Sequence, residues 1–462
     1  RMDRALPPPT PSQFLALCAA EDFEASVIGR FTADGHLRVA HAGQTVVDLD
    51  MAFLHDGRPQ RVLEAVWSPE DQRPETRDQG RATTAGGAAS AAALEQGPAL
   101  VHDPWSLADA LLALLRHPTI ASKERIVRTY DHEVRGATVI KPLVGARLDG
   151  PGDAAVLQPL PQSLAGLAVG CGINPQYGRL DPYWMALAVV DEALRNVVAV
   201  GADPGRAAIL DNFCWGDPRL PDRMAGLTRA AAGCYDAAVA FGAPFISGKD
   251  SLNNEYRDAA GRRVAIPPTL LITAVAHVPD VRRCVTMDLK QPGGLVYLVG
   301  ATRAELGGSH LALVGGLPPG TELAVPRVDL AAARATFAAL HRAIADGLVR
   351  ACHDLSEGGL AVAAAEMAIA GDLGLSLDLA AVPGAGGAPA ALFSETPSRF
   401  LVEVRPEDAG AFEAAMAGVT LARVGAVTAA PELVLREGAP VATLTVAELR
   451  RSWQSGLDGI DL

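Results

Sequence analysis

Two short runs concentrate the side chains that can hold a polyphosphate and its metal: Asp211-Asn-Phe-Cys-Trp-Gly-Asp-Pro218 and Ile246-Ser-Gly-Lys-Asp-Ser251. Each follows an apolar stretch. Magnesium takes one or two carboxylates and completes its shell with phosphate oxygens and water. Asp211 directly follows Ala207-Ala-Ile-Leu210, so it reads as a ligand at the carboxyl end of a buried strand, facing the crevice of an open α/β sheet. The same Asp211-Asn212 pair ahead of Pro218 reads equally as turn chemistry. In the second run Gly248 lets backbone approach a ligand, and Lys249 and Ser251 can meet phosphate. This is not a P-loop. Ala243 stands where the first glycine belongs, and Asp250 where a metal-binding Ser or Thr belongs. An ordinary polar loop is the competing reading.

A third cluster is His353-Asp354-Leu-Ser356-Glu357-Gly-Gly359. A strand, a polar turn, glycine and an apolar helix are the ingredients of an anion site at a helix N-terminus. The plainer reading is that Ser356 and Glu357 begin a helix while His353 and Asp354 pair with each other. Gly307-Gly308-Ser309 is a further short glycine loop. No HExxH spacing occurs, and no GxGxxG follows a strand-like run.

The elements that must position these groups are legible from periodicity. Leu187, Val190, Leu194 and Val197 recur at helical spacing within Tyr183 to Val198, and Arg223 to Phe241 repeats the pattern less sharply. Arg206 to Leu210, Pro244 to Ser247, Thr269 to Ala276 and Leu295 to Val299 read as strands. A helix runs from Leu330 to Asp346 with Gly347 as its stop, followed by a strand over Leu348 to Cys352. Near the start, Phe14 to Cys18 reads as helix, and Ser26–Arg30, Leu37–Ala40 and Thr45–Leu49 as strands. The expected organisation is a small piece at 1–67, a linker at 68–106, one domain at 107–290 and another at 291–462.

Composition narrows the function class. The 462 residues are 49% hydrophobic and 20% charged, which is globular, and they suffice for about three domains of ~100–200 residues. A formal charge of −13 argues against nonspecific nucleic-acid or anionic-membrane binding. The six cysteines contain no CxxC, which excludes zinc ribbons and thioredoxin-like motifs, and so few in a long chain suit a reducing cytoplasm. No apolar run approaches the ~20 residues of a membrane span.

Taken together, these residues resemble phosphoribosylformylglycinamidine synthase, an ammonia-ligating enzyme of purine biosynthesis. The resemblance runs over nearly the whole chain. It includes Asp181-Pro-Tyr183, Glu192-Ala-Leu-Arg-Asn196, Gly201-Ala-Asp203, Gly248-Lys-Asp-Ser-Leu252, His353-Asp-Leu-Ser-Glu-Gly-Gly-Leu360, Leu392-Phe-Ser-Glu395 and Leu115-Arg-His-Pro-Thr-Ile-Ala-Ser-Lys123. It implies an α/β (α+β) fold of aminoimidazole ribonucleotide synthetase-like modules, in a synthetase duplicated internally into two N-type and two C-type modules. Here 1–67 would be the tail of the first C-type module, 107–290 the second N-type and 291–462 the second C-type module. With Arg1-Met2 at its start, the chain reads as the later part of a longer protein.

The reaction implied is ATP-dependent conversion of formylglycinamide ribonucleotide and glutamine-derived ammonia to formylglycinamidine ribonucleotide. ATP and Mg²⁺ are the implied cofactors, and a glutaminase subunit or domain and the missing N-terminal half the implied partners. By position, Asp211 and Gly248 match ATP-contacting residues and Ser251 a substrate-contacting serine. Lys249 falls where many members place a magnesium-ligating Asn. A lysine cannot ligate a cation, so it is left as a phosphate contact and the metal ligands stay unassigned. The family's active-site histidines belong to the first N-type module, so the fragment alone is expected to be inactive. The alternative is a noncatalytic nucleotide-binding or structural half of the same synthetase.

Overall fold

The computed structural model describes residues 5–59, 61–67, 106–317 and 323–460. They fall into two units, Arg1–Val62 and Leu63–Leu462. In the first, helix Pro11–Ala20 precedes an antiparallel hairpin of His36–His41 and Gln44–Asp50. Ala42 and Gly43 both take positive φ at its two-residue turn, which matches the right-handed twist of the strands. Asp50 then caps helix Met51–Asp56, its Oδ1 accepting from Ala52 N at 2.7 Å and Phe53 N at 3.1 Å. Ser26–Arg30, expected as a strand, is irregular. A strand needs a partner ladder, and here Val27 and Ile28 stand exposed with none among the described residues.

The larger unit has two sheet layers. Thr269–Val278 alternates half-exposed and buried residues along its length, the period of a strand with one covered face. It lies at the heart of a six-stranded sheet. The spatial order is Thr138–Ile140, Ala155–Leu157, Gly166–Ile173, Thr269–Val278, Ala207–Cys214 and Phe245–Ser251. Every pairing is antiparallel except the last, Ala207–Cys214 with Phe245–Ser251. The crossover between those parallel strands is helix Pro221–Phe241. Helix Pro182–Ala199 packs on the same sheet. Asp181 caps it, accepting from Tyr183 N at 2.9 Å, and Pro182 takes its first position.

The second sheet has seven strands, in the order Ala351–Asp354, Phe400–Val404, Leu295–Val299, Leu421–Thr428, Gly374–Asp378, Glu432–Glu437 and Ala439–Thr445. Helix Gly359–Gly371 is apolar on nearly all sides and almost wholly buried, as its composition requires. Helix Leu330–Ala345 bridges the layers: Phe337 stacks on Phe241 with ring centroids 5.5 Å apart. One continuous core therefore runs through both. Ser106 opens this unit's helix Leu107–Arg116, its Oγ accepting from Asp109 N at 3.1 Å. The rest of the expected linker, 68–105, lies outside the described residues. Among the described residues no helix is long and apolar enough to cross a membrane.

The fold is thus mixed α and β, but its sheets are largely antiparallel. That agrees with the α/β (α+β) class the resemblance implied.

Candidate functional site

Asp211 and Gly248 face each other across the parallel pair. The contact is close: a Cβ on residue 248 would lie 2.2 Å from Asp211 Oδ1, so only glycine leaves the carboxylate its place. Burial, and Asp250 beside it, raise the Asp211 carboxyl above its usual value. Asn212 aligns with Lys249 and Cys214 with Ser251, and Lys249 Nζ donates to Ser251 Oγ. Successive strand residues point to opposite faces, so Asp211, Gly248 and Asp250 share one face while Lys249 and Ser251 share the other.

This corrects the local reading of both runs. Asp211 lies inside strand Ala207–Cys214 rather than beyond its end, and residues 247–251 continue strand Phe245–Ser251 rather than forming a loop. The reason is tertiary. The edge of the sheet gives the polar run a ladder to complete, and its outward groups stay exposed to water. No helix follows to gather its amides around a phosphate.

A second constellation lies where the two sheet layers meet, around a cleft of about 360 Å³. Strand Ala351–Asp354 delivers His353 and Asp354, and the chain then turns through Gly358 and Gly359, both at positive φ, into helix Gly359–Gly371. His353 and Asp354 form the local pair only loosely, and the hydrogen bonds of His353 go elsewhere. His353 Nδ1 lies 2.8 Å from Asp153 Oδ1, its Nε2 lies 3.0 Å from Glu366 Oε2, and the Asp354 carboxylate is 3.9 Å away. Asp354 N also donates to Asp153 Oδ1 at 2.9 Å. Burial opposes a charge on His353, but Asp153 and Glu366 outweigh it and hold the imidazole well above its ordinary pKa. The turn is anchored from behind by buried Glu395, which accepts from Gly358 N at 2.9 Å, His310 N at 2.8 Å and Tyr177 Oη at 2.9 Å. Ser356 and Glu357 do not begin the helix, which starts at Gly359.

The donor set suits a hard cation. Ligating atoms of Asp153, His353 and Asp354 lie within 4.8 Å of one another. Asp153 Oδ2 is buried without a hydrogen-bond partner among the described residues, and an orphaned carboxylate oxygen of this kind asks for a cation. His353 spends both ring nitrogens on carboxylates, so it serves as their counter-ion. The oxygens of Asp153 and Asp354 are the ones left that could hold a metal, a number magnesium completes with phosphate and water. Glu192 and Asn196 line the same cleft. Burial, with Glu357 nearby, pushes the Glu192 carboxyl well up. Lys123 also lines the cleft, its Nζ donating to Thr119 O at 3.0 Å and to Ala121 O. Burial holds its amine below the usual lysine range.

Of the residues expected from sequence, the structure brings Asp211 against Gly248 and Lys249 against Ser251, but none of the four lines the cleft. Sequence reasoning missed Asp153 and Glu366. Asp153 has no local signal, being 200 residues from His353. Glu366 had one: it is a lone acid inside the otherwise apolar run Ala363 to Ile369.

The AIR synthase related protein N-terminal domain matches residues 151–278 and the AIR synthase related protein C-terminal domain matches 291–437. Phosphoribosylformylglycinamidine synthase subunit PurL of Deinococcus radiodurans is 37% identical over 455 residues, covering 96% of this chain and 56% of the relative. PurL of Thermomicrobium roseum is 36% identical, covering 99% and 57%. The chain thus spans a little over half the length of these curated relatives. Among solved structures, T. maritima PurL complexed with FGAR superposes with a TM-score of 0.56 at 20% identity, over 74% of this chain and 52% of that one. T. maritima PurL complexed with ADP superposes at 0.51 and 21% identity, over 68% and 48%. At these identities the likeness is one of fold.

Proposed function

This chain belongs to the AIR synthase-related superfamily and, within it, to the phosphoribosylformylglycinamidine synthase family, and on that premise we propose that it is the C-terminal part of such a synthase. The reaction is the ATP-dependent conversion of formylglycinamide ribonucleotide and ammonia to formylglycinamidine ribonucleotide, a carbon–nitrogen ligation. A glutaminase subunit or domain supplies the ammonia, in the cytoplasm. Residues 107–290 are the N-type module and 291–462 the C-type module, with 1–67 the tail of a preceding C-type module. The observation that carries a nucleotide role is the cleft, where the orphaned Asp153 Oδ2, Asp354 and Lys123 converge.

Asp153 and Asp354 would hold Mg²⁺, which when bound supplies charge neutralisation for a polyphosphate. Lys123 offers the phosphate a point charge. The edge-strand residues serve both faces of the sheet edge, completed from outside this chain: Asp211 and Gly248 on one face toward ATP, and on the other Ser251 toward the ribonucleotide and Lys249 toward a phosphate. One observation favours a noncatalytic, structural role for the cleft itself. His353 is locked between Asp153 and Glu366, a stabilising arrangement with no free nitrogen for acid–base work.

The test is ATP hydrolysis that depends on both formylglycinamide ribonucleotide and ammonium. It is run on this chain alone and joined to its upstream segment, with Asp211→Asn and Ser251→Ala as controls. Activity only in the joined form, lost in both controls, is expected. Full activity in the controls would make this a structural half, and product formed by the chain alone would refute its inactivity.

A further inference from the structure

Arg195 is 3% exposed and lines a small cavity that shares Glu192, Ser356 and Glu357 with the cleft, not the cleft itself. Its guanidinium donates through Nε to Asp354 Oδ2 at 3.0 Å, through Nη2 to Ser356 Oγ at 3.0 Å, and through Nη1 to Asp191 Oδ1. Ser356 Oγ donates to the same Asp354 Oδ2. Both hydrogen bonds to the Asp354 side chain therefore engage one oxygen, and Oδ1 is left to the cleft. The rear of the fork is fixed as firmly. Asp191 is fully buried and also accepts from Ser398 N at 2.9 Å and from Ser398 Oγ. Ser398 holds a left-handed φ of 62°, unusual for a residue with a Cβ. One helix of the first layer thus holds two segments of the other, Asp354 to Ser356 through Arg195 and Ser398 through Asp191.

We propose that Arg195 is a positioning residue. It clamps Asp354 by Oδ2 so that Oδ1 is presented to a divalent cation carried by a nucleotide, and it acts through Asp354 and Ser356 without touching the ligand. The geometry demands arginine: a lysine supplies the charge but cannot fork to three partners in one plane. Residues that orient metal ligands in this way typically govern affinity by about 10–100-fold. This inference rests on reading the cleft as a metal–nucleotide site.

The experiment titrates the 462-residue chain with Mn²⁺ in the presence of ADP, following water-proton relaxation, for the unaltered chain, Arg195→Lys, Asp354→Asn and the double variant. Thermal unfolding of each is recorded alongside. Arg195→Lys is expected to fold and to bind Mn²⁺·ADP about 10–100-fold more weakly. In the Asp354→Asn background the same change should cost little more, because both act through one carboxylate. A loss confined to stability would not give that non-additivity. Unchanged binding in Arg195→Lys while Asp354→Asn weakens it overturns the positioning role alone, as do losses that simply multiply. No binding by the unaltered chain overturns the cleft reading and this role with it. Should Arg195→Lys not fold, Asp191→Asn leaves the arginine present but loosely anchored; weaker binding then supports the role and unchanged binding overturns it.

Discussion

His353 Nδ1 stands 2.8 Å from Asp153 Oδ1, and that contact joins residues 200 positions apart in the chain. It is buried, and its other end is Glu366, so the imidazolium neutralises carboxylates contributed by two different parts of the unit. Replacing His353 by Ala leaves Asp153 and Glu366 buried without their counter-charge. Losses of about 3–5 kcal/mol are usual when one partner of a buried pair is removed. Urea unfolding of His353→Ala should show a drop of that order, and a loss below about 1 kcal/mol would mean the pair is not a structural tie.

Gly248→Ala would place a Cβ 2.2 Å from Asp211 Oδ1. Overpacking of this kind costs about 1–3 kcal/mol. Because the clash is with one side chain, the Asp211→Ala, Gly248→Ala double variant should recover most of the loss. Chemical unfolding of the four proteins gives the cycle. No recovery would place the cost in the backbone instead.

Lys123→Met removes the one ammonium lining the cleft among the described residues. A charge-assisted hydrogen bond contributes about 1.5–3 kcal/mol, so ADP affinity measured by calorimetry should fall about 10–100-fold, with little change in thermal stability. Unchanged affinity would remove Lys123 from the phosphate role.

His117 gives the pH test. Burial, and His310 with its ring centroid 5.1 Å away, lower the His117 imidazole from 6.5 to about 4. Between those values the unfolded chain binds a proton that the folded chain refuses, so stability falls as pH drops from 6.5 toward 4. His117→Asn removes this term. The wild type should therefore lose more melting temperature than the variant between pH 7 and pH 5. His310, raised by Glu395 against its burial, acts with the opposite sign, adding stability as pH falls toward 6.5 and levelling off below it, and it does so in both proteins, so the difference between them reports His117. Equal losses in the two proteins would show that His117 is solvated.

Much of the architecture is written in local pattern. Asp181-Pro182 and the spacing of Leu187, Val190, Leu194 and Val197 specify helix Pro182–Ala199 because capping and amphipathic burial are short-range effects. The apolar run Leu295–Val299 is a strand for the same reason. The ordered motifs, from Glu192-Ala-Leu-Arg-Asn196 to His353-Asp-Leu-Ser-Glu-Gly-Gly-Leu360, were enough to indicate the family. What the local pattern does not hold is register and partnership. Residues 247–251 carry loop chemistry, yet a neighbouring strand draws them into a ladder across a 21-residue helix. Ser26–Arg30 carries strand chemistry and has no strand to pair with among the described residues. Asp153 and His353 meet only because two sheet layers share one core, and the cleft exists only in that meeting. Side-chain spacing determined the elements; long-range burial, which no short window of sequence encodes, decided which of their polar groups would face each other.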